Sequence, residues 1–222
     1  TRACPVEEGA DVELIDARHP LLDPATAVAV DLPLRGIRGV VVSGANTGGK
    51  TVAMKALGLL ALMHQCGLRV PARRARLPVF DEVLADIGDE QSIELSLSTF
   101  SGHLARIVDI LGRSTPRSLV LLDELAGGTD PSEGSSLARA IMERLLPRAA
   151  LVVVTSHYPE LKEWASATDG VANAAVGFDP ETLAPTYRLR IGRAGASHAL
   201  QIASRLGLDP EIVEDARAGI SA

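Results

Sequence analysis

One octet, Gly44-Ala45-Asn46-Thr47-Gly48-Gly49-Lys50-Thr51, restricts the fold more than any other stretch of this chain. It follows the apolar run Gly39-Val40-Val41-Val42-Ser43 and precedes Val52 to Gly67, where Val52, Leu59, Leu60, Leu62 and Met63 recur at helical spacing. Strand, glycine turn, helix is the setting in which the P-loop pattern G-x-x-x-x-G-K-[ST] has a physical meaning. Glycines let backbone N–H groups converge on phosphate oxygens with no side chain in the way, and the helix N-terminus adds the positive end of its dipole. In this pattern Lys50 reaches the β- and γ-phosphates and Thr51 ligates Mg²⁺. All eight residues are therefore candidates for holding ATP.

A second stretch has matching chemistry. Ser118-Leu119-Val120-Leu121-Leu122-Asp123-Glu124 is a buried-type strand ending in two carboxylates. At the strand's end Asp123 would hold Mg²⁺ with Thr51, and Glu124 would act as general base on the attacking water. Ala150 to Thr155 is a third such run and delivers Ser156-His157 to the same edge, where His157 would sense or orient the γ-phosphate. Strands alternating with helical crossovers imply an α/β fold, a doubly wound and mostly parallel sheet with ligand at its C-terminal edge.

The remaining segments fill in around this unit. Thr1 to Asp11 carries no pattern and reads as a terminal edge or linker, with 12–222 as one domain and C-terminal helices over about 197–220. Val12 to Ile15 and Val28 to Leu34 read as short strands around the turn Asp16 to Pro20. A Pro- and Arg-rich connection, 68–78, leads to Val79 to Ile87, read as a strand pair. Phe100, Leu104, Ile107, Val108 and Leu111 mark a helix from Thr99, with Ser98 as its N-cap. Ser132 is the expected cap of the next helix, to about Leu146. Tyr158 to Ala165 is a short helix, Val171 to Phe178 and Thr186 to Ile191 a β-hairpin, and Ser197 and Asp209-Pro210 start the last two helices.

Composition narrows the classes. With 46% hydrophobic residues but only 3% aromatic, the core is aliphatic. No apolar run reaches the roughly 18 residues of a membrane helix, and no signal-like N-terminus is present. The two cysteines, Cys4 and Cys66, form no disulfide framework or metal cluster, which favours a reducing cytosol, and Cys66 reads as a core filler. Net charge is −6, unlike a stand-alone nucleic-acid gripper, and the one dense basic cluster, Arg69, Arg73, Arg74 and Arg76, reads as a solvated loop, with contact to a phosphate backbone or a partner as the alternative.

At this point the chain resembles the MutS family. Ser43 to Thr51, with Asn46 and paired glycines before the lysine, is similar to that family's P-loop. Leu122 to Leu125 followed by Gly127-Gly128-Thr129-Asp130-Pro131 resembles its Walker B and D-loop. Thr155 to Leu161 resembles its switch-histidine segment, and Ser98-Thr99-Phe100 its signature segment. The thread DIGDEQSIELSLSTFSGHL and the words GTDPSEG and HYPELK are closer to the second bacterial MutS subfamily, linked to restraint of homologous recombination. The likeness runs from about Val12 to Arg217. It departs at Ala45, where the family usually has Pro, at Ala126, where Gly is usual, and at Leu189, near where mismatch-repair members carry a ring.

The resemblance implies an ABC-type ATPase that works as a homodimer. Ser98 would point at the γ-phosphate held by the other subunit's Lys50, completing two composite sites. DNA, as branched or mismatched intermediates, would be held by domains outside this chain, which in full-length members include a C-terminal Smr nuclease domain. A ribosomal role and a cytoplasmic, nucleoid-associated location belong to the same expectation. The alternative is an association module in which ATP serves as dimerisation glue with negligible turnover. A transporter-coupled ATPase fits less well, because no LSGGQ-type signature is present, and a small-molecule kinase less still, because no acceptor site or lid is apparent.

Overall fold

The structure, a computed structural model, describes residues 4–5, 11–44, 48–88, 96–179, 184–195 and 199–221. In chain order its strands are β1 Cys4–Pro5, β2 Val12–Ala17, β3 Val30–Leu34, β4 Gly39–Ser43, β5 Arg74–Leu77, β6 Val83–Asp86, β7 Leu119–Leu122, β8 Leu151–Thr155, β9 Val171–Asp179 and β10 Ala184–Ile191. Its helices are α1 Lys50–Gln65, α2 Ser96–Arg113, α3 Pro131–Leu145, α4 Pro159–Ala167, α5 Ala199–Arg205 and α6 Pro210–Ser221, with a 3₁₀ turn at Leu146–Arg148.

Unbroken apolar runs need cover on both faces, and they receive it. β4, β7 and β8 are buried at every residue. They form the middle of a six-stranded sheet of order β10-β9-β4-β8-β7-β6. Every pairing in it is parallel except β9 with β10, so the expected hairpin supplies one parallel strand and one antiparallel edge. Because side chains alternate faces along a strand, Val40, Val42, Leu119, Leu121, Leu151 and Val153 pack with Ala53, Met54, Leu57 and Leu60 of α1. Val41, Val120, Leu122, Val152 and Val154 face the other way, onto Ile107 and Ile110 of α2, Ile141 and Met142 of α3 and Leu161 of α4. Each such buried side chain contributes about 1.5–3 kcal/mol. The fold is mixed α/β with a sheet rich in parallel strands, as the crossover pattern implies.

A second sheet, of order β1-β5-β2-β3, shares the α1 cluster through Val12, Leu14, Leu34, Ala75 and Leu77. It revises the reading of 68–87. The Arg-rich connection contains β5, antiparallel to β2, and the supposed strand pair is the single strand β6. β5 escaped notice because its outward residues are Arg74 and Arg76, while Ala75 and Leu77 alternate inward. Cys4–Pro5, in the patternless N-terminal stretch, pairs parallel with β5.

Other boundaries move for local reasons. Pro131 occupies the first position of α3, so the cap is Asp130, whose carboxylate accepts from the backbone N–H groups of Ser132 and Glu133; Ser132 is not the cap. α2 begins at Ser96, which puts Ser98 inside the first turn rather than at the N-cap. Val52 and Leu62 on α1 and Val108 on α2 are exposed, since the buried arcs centre on Leu57 and Ile107. Cys66 is exposed just beyond α1, not a core filler. Ser197 lies outside the described residues. No helix among the described residues is long and apolar enough to cross a membrane.

Candidate functional site

The end of β4 sets the site. Beyond Ser43 the chain turns through Gly44, with φ 123°, and re-enters at Gly48 and Gly49, the latter with φ 87° immediately before α1. A Cβ on Gly44 or Gly48 would meet Val176 of β9 at 2.5 Å or 2.6 Å, and one on Gly49 would meet the Tyr187 ring of β10 at 2.9 Å. Glycine is thus needed here for close approach as well as for backbone freedom. Ala45, Asn46 and Thr47, expected in the cradle, lie outside the described residues.

Lys50 opens α1 and is buried, its Nζ donating to the Gly44 carbonyl at 2.6 Å. Burial lowers its pKa, while the nearby carboxylates of Glu124 and then Asp123 oppose that shift. Thr51 Oγ1 donates to Asp123 Oδ2 at 2.7 Å, so the expected metal pair is already in contact. Asp123 is also gripped by a residue the sequence reading passed over. Thr155 Oγ1, at the buried end of β8, donates to Asp123 Oδ1 at 2.6 Å and accepts from the Glu124 backbone N–H at 2.7 Å. A threonine ending an apolar strand looks like ordinary β-propensity; only its place beside the β7 terminus signals this role.

Glu124 follows with φ 49° and Ala126 with φ 57°, both in the left-handed region that non-glycine residues seldom adopt. At Ala126, a glycine would hold this backbone without the strain. The strained turn is braced by Tyr158, whose hydroxyl donates to the Ala126 carbonyl at 2.7 Å. Glu124 and His157 are each about half exposed, with His157 Nε2 4.0 Å from Glu124 Oε1. Burial first and the Lys50 charge second hold the His157 pKa below its ordinary value, with Glu124 pulling the other way. Lys50, Thr51, Asp123 and Glu124, joined by Lys55, Gly88 and His103, line one cavity of about 260 Å³. A larger cavity, about 680 Å³, lies between the small sheet and β10; its walls include Arg18, Arg73, Arg188, Leu189 and Arg190. The side chain of Ser98, the residue expected from a second copy, lies outside the described part of the chain.

Residues 40–222 match the family model for MutS domain V. The chain belongs to the MutS family. Its relatives include proteins named Endonuclease MutS2 from Thermomicrobium roseum, 58% identical over 93% of this chain, and from Agathobacter rectalis, 52% identical over 95%. A third, from Geobacillus kaustophilus, is 54% identical over 95%. The chain spans 26–27% of the length of these relatives. The MutS resemblance seen in the motifs, including its leaning towards the second bacterial subfamily, therefore holds across the chain.

Proposed function

We propose that this MutS domain V binds ATP with Mg²⁺ and hydrolyses it to ADP and phosphate. The observation that carries the reading is the Thr51–Asp123 pair, held from behind by buried Thr155, beside buried Lys50, with Lys50, Thr51 and Asp123 lining one cavity. The fit to a phosphate is physical: a turn whose glycines pack too close to Val176 and Tyr187 to carry a Cβ, a helix N-terminus, and a buried ammonium. The fit to magnesium is also sound, since one hydroxyl and one carboxylate suit a small hard cation that keeps waters and shares phosphate oxygens. When bound, the metal would neutralise charge developing on the transferred phosphoryl group.

The chain's own residues take the remaining roles. Lys50 holds the terminal phosphates, Gly44, Gly48 and Gly49 with the 45–47 segment wrap them, and Thr51 and Asp123 hold the metal. Thr155 fixes both the Asp123 carboxylate and the start of the Glu124 turn. Glu124 accepts a proton from the attacking water, and His157, on the far side of Glu124, orients the phosphoryl oxygens. The larger cavity, whose wall shares β10 with Tyr187, takes the nucleoside.

The same proposal extends to assembly. As a P-loop ATPase of ABC type, the domain would dimerise with Ser98 of one copy completing the other's site. It would act in a cytosolic, nucleoid-associated MutS2-type DNA-processing protein that restrains recombination. DNA contact, endonuclease activity and any ribosomal role would rest with other parts of such a protein. The test is phosphate release by the chain across a protein concentration series, beside Glu124→Gln. Turnover per subunit that rises with concentration, and falls by about 10² or more in the variant while ATP binding persists, supports the reading. A nucleotide-linked dimer with no phosphate release would favour ATP as dimerisation glue instead.

A further inference from the structure

Behind the cavity lies a polar cluster with no part in the roles above. Asp86 ends β6, one strand out from the β7 terminus that carries Asp123, and is 3% exposed. A carboxylate so buried needs partners, and both come from α2. His103 Nδ1 donates to Asp86 Oδ2 at 2.7 Å, and Arg106 donates to Asp86 Oδ1 at 3.2 Å. The backbone N–H of Asp123 in turn donates to the Asp86 carbonyl at 2.8 Å, which fixes the two acidic positions relative to each other. His103 is also in the wall of the cavity that holds Lys50, Thr51, Asp123 and Glu124.

The consequence is geometric. A carboxylate only accepts, so Nδ1 must carry the proton of that bond, and Nε2 is the ring's other polar atom. A buried acid fixing one nitrogen of a histidine while the ring borders a ligand cavity is how a histidine is oriented for a ligand. We propose that His103 is a binding residue of the nucleotide site, its Nε2 hydrogen-bonding an oxygen at the terminal-phosphate end, with Asp86 as its positioning residue. That oxygen belongs either to the phosphate or to a water on the metal. The bond ties the presence of a third phosphate to α2, the helix whose first turn carries Ser98. This inference rests on the nucleotide reading above.

The two nitrogens can be separated by substitution. In His103→Asn the amide nitrogen takes the place of Nδ1 and keeps the Asp86 bond, but nothing replaces Nε2. In His103→Gln the amide reaches towards the Nε2 position. Affinities for a slowly hydrolysed ATP analogue and for ADP are measured by calorimetry on both variants and the parent, with magnesium and with chelator, alongside melting temperature. The expected result is an Asn variant that melts like the parent, binds ADP within about twofold, and binds the triphosphate analogue roughly tenfold or more weakly, with partial recovery in the Gln variant. Loss only with magnesium present assigns the oxygen to metal-bound water; loss in both conditions assigns it to phosphate. Parent-like preference for the triphosphate in the Asn variant overturns the proposal and leaves His103 as a helix anchor. Should the Asn variant fold poorly, the His103 ring signals of the unaltered protein decide: they must shift with the triphosphate analogue and not with ADP. No nucleotide binding by the parent would instead sink the underlying reading.

Discussion

Replacing Thr155 by Val removes one hydroxyl and almost nothing else. The side chain is fully buried, the two residues have nearly the same shape, and no cavity opens. Two bonds are lost: the donation to the Asp123 carboxylate at 2.6 Å and the acceptance from the Glu124 N–H at 2.7 Å. A bond to a charged group contributes about 1.5–3 kcal/mol and a neutral one about 0.5–1.5 kcal/mol. The Glu124 N–H is left without this partner in a turn already strained at φ 49°. Together these predict a loss of about 3 kcal/mol, or roughly 6–12 °C in melting temperature for a chain of this size. Thr155→Ser is the control, since it keeps the hydroxyl and removes a methyl group, for a loss of about 1 kcal/mol. Urea unfolding followed by circular dichroism gives both values. A Val variant within about 1 kcal/mol of the parent, or more stable than the Ser variant, would refute the claim that Thr155 fixes the acidic pair.

Three further outcomes follow. His157 has a folded pKa held below its ordinary 6.5, so the unfolded chain takes up this proton first; its contribution is whole above about 6.5 and is lost as pH falls through the lowered value. His157→Gln should flatten the acid-side decline in melting temperature, and an unchanged slope would count against the burial argument. Gly195→Ala would put a Cβ 2.7 Å from the backbone carbonyl of Ser43 and 2.8 Å from the Gly44 nitrogen, where nothing can swing aside. Its Gly195 N–H to Ser43 Oγ bond also spans this contact, so a loss of about 1–3 kcal/mol and weakened nucleotide binding are expected from unfolding curves and calorimetry. Asp130→Ala should cost about 1 kcal/mol as loss of the α3 cap, whereas Ser132→Ala should cost clearly less; the reverse order would restore Ser132 as the cap.

What could be read in the sequence was chemistry bound to local spacing. Lys50 and Thr51 open a helix just after a glycine turn, and Asp123 and Glu124 end an apolar strand, so their joint place at one sheet edge follows from crossover topology alone. What could not be read depends on which strands become neighbours. Thr155 meets Asp123 because β8 lies beside β7, and Asp86 meets His103 because α2 packs on β6. Neither pairing leaves a local trace. Tyr187 reaches Gly49 only once β10 joins β9 at the sheet edge. β5 gives no apolar run because its arginines face outward, and the α3 cap sits two residues before Ser132, at Asp130, because Pro131 takes the helix's first residue.

Every role assigned to this site depends on a triphosphate held at the start of α1. Calorimetric titration of the parent chain with a slowly hydrolysed ATP analogue and Mg²⁺, set beside Lys50→Ala, tests it most directly. Saturable binding is expected of the parent and an at least tenfold weaker response of the variant, the loss of about 1.5–3 kcal/mol that removing a charge-assisted contact brings. Equal affinity in the two proteins would contradict it.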